Sequence, residues 1–346
     1  MNILPFIYKE TLHVVRDKRT MLVCICIPIV QMLLFGFAIS TEVNDVRVAV
    51  AYDKYSNDIR QQIDRLAYNP YITVCGTVSE QDIESVMRRG EADAVVAFKQ
   101  NSVPQILTDA SNPNMAQTAV TYITQILAPP SEGRGADIRL LYNPQLHSSY
   151  NFAPAIMGMI FLLVCAMMTA VSIVREKETG TMEVLLVSPV RPIAIIISKM
   201  VPFLVLSCVD LTLILLLAKF VLDVPLAGGV LSIVAVSMLY IVLALALGLL
   251  VSTLAHTQVV AMLISGMVMI VPVIMLSGML FPIDNLPPVL SELSVIVPAR
   301  WYIDAMRKLM VMGVGITDVL TDVAVLLSMT ALLIIVSFKK FNDRLE

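Results

Sequence analysis

Apolar and polar positions along this chain fall into blocks too long for one globular domain. Residues 20–41 form a largely apolar run, and residues 42–150 carry a mixed pattern. Five further apolar blocks follow, at about 152–174, 190–219, 229–253, 258–281 and 317–338. A helix needs about 20 apolar residues to cross the hydrocarbon core of a bilayer. The pattern therefore predicts six transmembrane helices with a polar insertion between the first and the second.

The insertion has a shorter period. "VRVAVAYD" (46–53) reads as a strand. "SNDIRQQIDRLAYN" places Ile59, Ile63, Leu66 and Ala67 on one face of a helix. "YITVCGTV" reads as a second strand. "SEQDIESVMRRG" reads as a helix with a Ser79…Asp82 start resembling a capping box and Gly90 past its end. "ADAVVAF" and "VPQILTD" are further strands. "NPNMAQTAVTYITQIL" is a third helix with Pro113 in its first turn, and "ADIRLLYN" closes the set. Strands alternating with helices imply a compact α/β domain.

Composition agrees. The 346 residues are 58% hydrophobic and 15% charged, with a mean hydropathy of +0.82. Soluble domains lie near 45–50% apolar and about 25% charged. The net charge of -3 leaves no basic stripe for nucleic acid. His13, His147 and His256 are too scattered to suggest a histidine-based metal site. Cys24, Cys26, Cys165 and Cys208 fall in apolar blocks and only Cys75 in the insertion, so the insertion cannot hold an internal disulfide. A secretory signal is a competing reading of the amino terminus, since Ala38-Ile39-Ser40 resembles a cleavage site. The apolar run exceeds the usual 7–15 residues and its leader contains acids, which favours an uncleaved first span.

Basic residues set the orientation. With the amino terminus inside, the inner flanks collect Lys9, Arg16, Lys18, Arg19, Arg175, Lys177, Arg191, Lys199, Lys339, Lys340 and Arg344. The short outer loops collect only Arg300, Arg307 and Lys308, with Lys219 near an outer helix end. Both termini are then cytoplasmic and the α/β domain lies outside the cytoplasm.

Between the second and third spans stands "VREKETGTMEVLLVSPVRP" (174–192). Five charges at membrane depth would cost about 2.5–3.5 kcal/mol each, so the stretch belongs in the cytoplasm. It reads as a short charged turn, a Thr179-Gly180-Thr181 joint and a half-apolar piece holding Met182, Glu183, Val184, Leu185 and Leu186. Ser188-Pro189 suits the start of the next span. A solvated loop would not need so many apolar residues; a helix lying along the membrane surface would.

"SIVREKETGTMEVLLVSPVRPIAIIISKMVPF" resembles the cytoplasmic segment of ABC-2 type permeases, the membrane subunits of ATP-binding-cassette exporters. "GEADAVVAF" with "LTDASNPNMAQTAVTYI" is similar to that family's outer domain. "LYNPQLHSSYNFAPAIMGMI" is similar to its re-entry into the second span, and "LSGMLFPIDNLPPVLSELSVIVPARWYIDAMRKLM" to its last external segment. The resemblance spans nearly the whole chain in order. It implies a connecting helix over 1–19, a first span over 20–41, an extracytoplasmic α/β domain over 42–150, a five-span domain over 151–338 and a cytoplasmic tail over 339–346.

The resemblance also implies roles. Segment 175–189 would be the coupling helix that docks in a groove of a partner ATPase. Glu176, Glu178 and Glu183 would meet polar groups there, Leu185 and Leu186 would fill the groove, and Gly180 with Thr181 would let the chain bend before Ser188 and Pro189. Residues 278–300 would form an outer re-entrant gate, with Gly278, Phe281, Pro282 and Asp284 as its candidates. Six spans are half of the family's usual twelve, so a second permease chain, in a homodimer or heterodimer, is implied. A periplasmic adaptor and membrane lipid are the further expected partners, in a bacterial inner membrane.

No G-x-x-x-x-G-K-[ST] loop occurs, so ATP and Mg are expected on a separate ATPase subunit and no cofactor or metal in this chain. No catalytic motif is found either, and the chain reads as a transport subunit rather than an enzyme. Asp210, mid-span in "LSCVDLTLILLLAKF", is an intramembrane candidate for the dimer interface or the cargo path. Lys219 reads as a snorkelling lysine, and Trp301 with Tyr302 as an anchor at the outer membrane–water boundary. The 21 methionines supply adaptable apolar surface. The function read from all this is export of an amphipathic cargo: a drug, a lipid or a lipid-linked molecule. The alternative is a membrane receptor or sensor whose outer domain binds a ligand. The short tail "KKFNDRLE" offers no signalling domain to support it.

Overall fold

The computed structural model describes residues 4–38, 46–52, 55–99, 104–108, 113–127, 147–181, 192–281, 283 and 286–343. The chain divides into two compact units, one of residues 1–39 and 148–346 and one of residues 40–147.

The second unit is α/β. Its sheet has the order β2 (Ile72–Thr77), β1 (Val46–Tyr52), β3 (Ala94–Phe98), β4 (Gln105–Thr108). The first three strands are parallel and β4 is antiparallel to β3. Strand alternation sorts the core. Val46, Val48 and Val50 pack with Leu66 of α3 (Asn57–Ala67) and Ile123 of α5 (Pro113–Leu127). Ala49 and Ala51 pack with Ile83 and Val86 of α4 (Ile83–Arg88). The sheet is thus covered on both faces, as parallel strands require.

Ser56 caps α3 by accepting from the Ile59 amide at 3.2 Å. The helix expected from Ser79 onward begins instead as a 3₁₀ turn, Glu80–Asp82. Ser79 spends its hydroxyl on the Asp82 carboxylate at 2.7 Å and caps no amide. The strand expected at "ADIRLLYN" lies outside the described residues.

The first unit is helical. Among the described residues, five helices are long and apolar enough to cross a membrane: Ser148–Glu178, Ala194–Phe220, Val230–Leu254, Gln258–Leu276 and Ile316–Lys340. A bent pair, Leu4–Arg16 and Thr20–Gly36 at 67°, brings the number to six if it counts as one span. We label the helices α1 (Leu4–Arg16), α2 (Lys18–Ala38), α6 (Ser148–Glu178), α7 (Pro192–Phe220) and α8 (Val230–Leu254). Then come α9 (Gln258–Leu263), α10 (Met269–Leu276), α11 (Pro288–Ser294), α12 (Pro298–Arg307) and α13 (Leu320–Asp343). The bend between α1 and α2 has a local cause. Asp17 accepts from the Thr20 hydroxyl at 2.8 Å and the Thr20 amide at 3.4 Å, capping α2 and ending α1.

α6 is the central helix and packs on α2, α7, α8, α9 and α12. Two tyrosines lock its middle. Tyr240 donates to the Gly158 carbonyl at 2.9 Å and stacks on Tyr302 at 4.1 Å between ring centroids. Tyr302 shares a 2.9 Å hydrogen bond with Ser237. This corrects the boundary-anchor reading of Tyr302, which is fully buried. Adjacent helical residues point about 100° apart, so Trp301 stays partly exposed under the Arg300 guanidinium while Tyr302 enters the core.

The block expected over 258–281 is not one regular helix. A π turn, Ile264–Val268, separates α9 from α10, and the helix ends at Leu276. Gly278 then adopts a φ of 80° that a side chain would strain.

Candidate functional site

The last turn of α6 is where the chain's charges converge. The sequence suggested a charged turn over residues 175–178; the structure shows the helix continuing through Glu178. Consecutive helical residues point to all sides of the axis, and here each finds a different element. Arg175 faces Asp17, between α1 and α2, at 3.9 Å. Glu176 binds Lys199 of α7 at 2.6 Å. Lys177 donates to the Ser252 carbonyl at the end of α8 at 2.6 Å. Glu178 accepts from the Gln258 amide at 3.1 Å and its side chain at 2.9 Å, at the start of α9. Each matched by a partner, the charges tie the helix end to its neighbours, with Arg175 and Glu178 still exposed to solvent.

Lys199 is the deepest of these groups, with 3% of its side chain exposed. Its ammonium also reaches Glu10 of α1 at 3.5 Å, so two acids from α1 and α6 share one lysine from α7. Glu10 is in turn held by Lys9 at 3.1 Å. One Glu176 oxygen, Oε2, is buried without a hydrogen-bond partner. Beyond Glu178 the chain turns at Gly180, whose φ of 74° is open to glycine. The Thr179 and Thr181 hydroxyls fold back onto the Arg175 and Glu176 carbonyls at 2.8 and 3.3 Å.

These contacts revise two expectations. Glu176 and Glu178, expected to meet a partner protein, are occupied by Lys199 and Gln258 of this chain. Gly180 and Thr181 form the joint at the end of α6. Glu183, Leu185, Leu186, Ser188 and Pro189 lie outside the described residues. The charged hub was not foreseen as a unit. Lys199 looked like one more basic flank, and Glu10 is 189 residues away from it. The available signal was position: Glu10 shares with Val14 the buried stripe of α1, an odd place for an acid without a partner.

At the opposite end of the helical unit, Gly278 is buried and its carbonyl accepts from Arg307 at 2.7 Å. Phe281 is exposed, and Pro282 and Asp284 lie outside the described residues. The expected re-entrant stretch contains the short helix α11 and the start of α12. Lys308 pins α12 to α13 through Asp304 at 2.7 Å and Asp322 at 3.0 Å. Lys219 is exposed beside the Phe220 ring at 5.6 Å.

Asp210 points inward. It is 3% exposed and lies beside Cys24, Cys165 and Ser207 of its own chain. Its Oδ1 has no hydrogen-bond partner. An unsatisfied buried polar group costs about 1–3 kcal/mol. Asp210→Leu is therefore expected to raise the melting temperature of the purified chain in detergent. A lowered melting temperature would show that the carboxyl is a structural tie.

Comparison with known proteins covers the same ground. A profile for the family described as "ABC-2 family transporter protein" matches residues 18–339. The chain is 26% identical to "Probable multidrug ABC transporter permease YbhS" of Escherichia coli strain K12, over 98% of this chain and 96% of that one. It is 28% identical to "Probable multidrug ABC transporter permease YbhR" of the same strain, over 94% of each. Over 52% of this chain and 48% of the relative, it is 28% identical to "Inner membrane transport permease YhhJ" of that strain.

Proposed function

Because this chain belongs to the ABC-2 family of transporter proteins, we propose that it is the permease subunit of an ATP-driven exporter in a bacterial inner membrane. It carries an amphipathic cargo, of the drug, lipid or lipid-linked type, out of the cytoplasm or the inner leaflet. A separate ATPase subunit supplies the energy and binds ATP and Mg. α1 is the cytoplasmic connecting helix and α2 the first of six spans, both termini are cytoplasmic and the α/β unit lies outside. Two permease chains, identical or paralogous, complete the pathway, and a periplasmic adaptor receives cargo where the cell has two membranes. Gly278, Phe281, Pro282 and Asp284 belong to the outer gate.

The observation that carries this reading is the hub at the end of α6. Segment 182–191 follows the turn at 179–181 that ends α6, and the last turn of α6 is bonded to α7, α8, α9 and the α1–α2 junction. A push on that segment is delivered to four elements at once. Allosteric transmission needs such a physically connected element between partner and pathway. Glu183, Leu185 and Leu186 supply the docking surface for the ATPase, Gly180 is the joint, and Ser188-Pro189 marks the return to the membrane.

The test is co-purification with the cell's ATPase subunit, followed by ATP hydrolysis and dye efflux in vesicles. Fully burying a leucine side chain is worth about 1.5–3 kcal/mol. Leu185→Asp/Leu186→Asp is expected to weaken ATPase retention by about tenfold or more and to abolish efflux. Glu183→Arg is expected to lower both. Wild-type retention and efflux in both variants would overturn the coupling role.

A further inference from the structure

A groove of about 1220 Å³ opens between α1, the start of α2, the last part of α6 and the start of α9. Its α1 wall carries Lys9, His13 and Arg16 at i, i+4 and i+7, a single helical face. Arg175 faces them from α6, with 53% of its side chain exposed. Asp17 is the one carboxylate in this wall, and it is held by Arg175 at 3.9 Å and Thr20 at 2.8 Å. Lys9 is held by Glu10, but Arg16 has no ion pair or hydrogen bond among the described residues. Among the lining residues Lys9, Arg16 and Arg175 thus outnumber Asp17, with Glu10 and Glu178, bonded to Lys9 and Gln258, just outside the lining, and Arg16 is the free arginine.

The depth of the groove is apolar, and the change of polarity runs the same way on three elements. On α6, Met167 and Met168 lie about 12 Å below Arg175. On α2, Val23 lies one turn below Thr20, and on α9, Met262 lies one turn below Gln258. On α2, α6 and α9 the polar lining residues sit at the end where Glu178 meets Gln258 and the apolar ones lie toward the middle of the helices, while α1 adds Tyr8 and Leu12 among its basic residues. Met262 and neighbouring Val259 expose 44% and 65% of their surface. Methionines line the floor, and they adapt to a chain of no fixed shape.

We infer that this groove binds an anionic phospholipid, with its phosphate at Arg16 and Arg175 and an acyl chain along Val23, Met168 and Met262. Charge sets the headgroup: a rim with excess cations and a free arginine matches a phosphate, and guanidinium is the group best shaped to hold one. The gradient sets the tail, because a soluble phosphate would leave the apolar floor uncovered. The site deepens the proposed function by naming a ligand chemistry for the membrane-facing side of α1. It needs no ATPase, so binding and coupling fail independently.

The test uses the full chain, purified in neutral detergent, and native mass spectrometry. Phosphatidylglycerol is titrated against phosphatidylcholine with the same acyl chains, and glycerol phosphate serves as the headgroup alone. Phosphatidylglycerol is expected to stay bound where phosphatidylcholine is lost, and glycerol phosphate is expected not to displace it. A basic residue near an anionic lipid surface is worth about fivefold in affinity. Arg16→Gln is expected to lower binding about fivefold, and Arg16→Gln/Arg175→Gln about thirtyfold. Lys219→Gln, far from the groove, leaves binding unchanged. Arg16→Gln breaks no ion pair or hydrogen bond among the described residues, so its effect is read without loss of structure. Equal binding of the two lipids, full binding by Arg16→Gln, or displacement by glycerol phosphate would each overturn the proposal.

Discussion

Lys199→Met is expected to destabilise the helical unit by about 3–5 kcal/mol, the typical cost of removing one partner from a buried ion pair. The lysine is 3% exposed, and its acids Glu10 and Glu176 are 10% and 17% exposed, so all three have lost most of their water on folding. Two carboxylates would then face each other across the site. Purified Lys199→Met should aggregate or melt far below the parent chain in detergent. The cause is separable from packing. In Lys199→Met/Glu10→Gln/Glu176→Gln no buried charge is left behind, since Lys9, the other partner of Glu10, is 57% exposed and keeps its water; replacing a whole buried cluster with neutral groups is often neutral or stabilising. The triple variant is expected to recover the parent melting temperature while ATP-driven efflux stays low. Recovery of efflux along with stability would show that the cluster holds helices together and transmits nothing. Failure to recover stability would assign the lysine a packing role through its stem.

The hub also marks the limit of what local sequence pattern carries. The spans were legible because length and hydropathy are local properties, and the sheet because Val46, Val48 and Val50 alternate with Ala49 and Ala51. The Glu10–Lys199 pair was not, because nothing near either residue identifies a partner 189 positions away. The four charges at 175–178 read in sequence as a short charged turn, a sound inference for residues facing water. They continue the helix because α7, α8, α9 and the α1–α2 junction all present complementary groups. Tyr302 failed differently: its neighbours Arg300 and Trp301 suggested an interface, but one step along the helix turns it onto Tyr240. The coupling residues beyond Thr181 were legible only as a composition, apolar positions interrupted by Glu183.

Gly248→Leu is the second substitution with a large expected effect. A Cβ built at Gly248 in α8 would overlap the Ala166 carbonyl oxygen of α6 and lie 2.9 Å from both Ala166 Cα and Thr169 Cβ. Two of those three obstacles are backbone, so neither helix can yield by changing a rotamer. Inside a bilayer this matters more than in water. Lipid is as apolar as leucine, so helices associate through close packing and small residues rather than by expelling solvent. Fully buried Ala166, Ala170 and Ala244 accompany Gly248 on these two helices. Overpacking typically costs about 1–3 kcal/mol, and a branched side chain against backbone belongs at or above the top of that range. Gly248→Leu is expected to yield little monodisperse protein on size exclusion in detergent, and Gly248→Ala a clearly lowered melting temperature. Gly266 is the internal control, because a Cβ there meets only Met167 Cε at 4.0 Å. Gly266→Ala should purify and melt like the parent chain. Equal tolerance at both positions would mean that α6 and α8 separate during folding or transport by more than this crossing allows. The loss at Gly248 alone would instead make α6 and α8 one rigid body, which a push on the last turn of α6 at 176–178 would move as a unit.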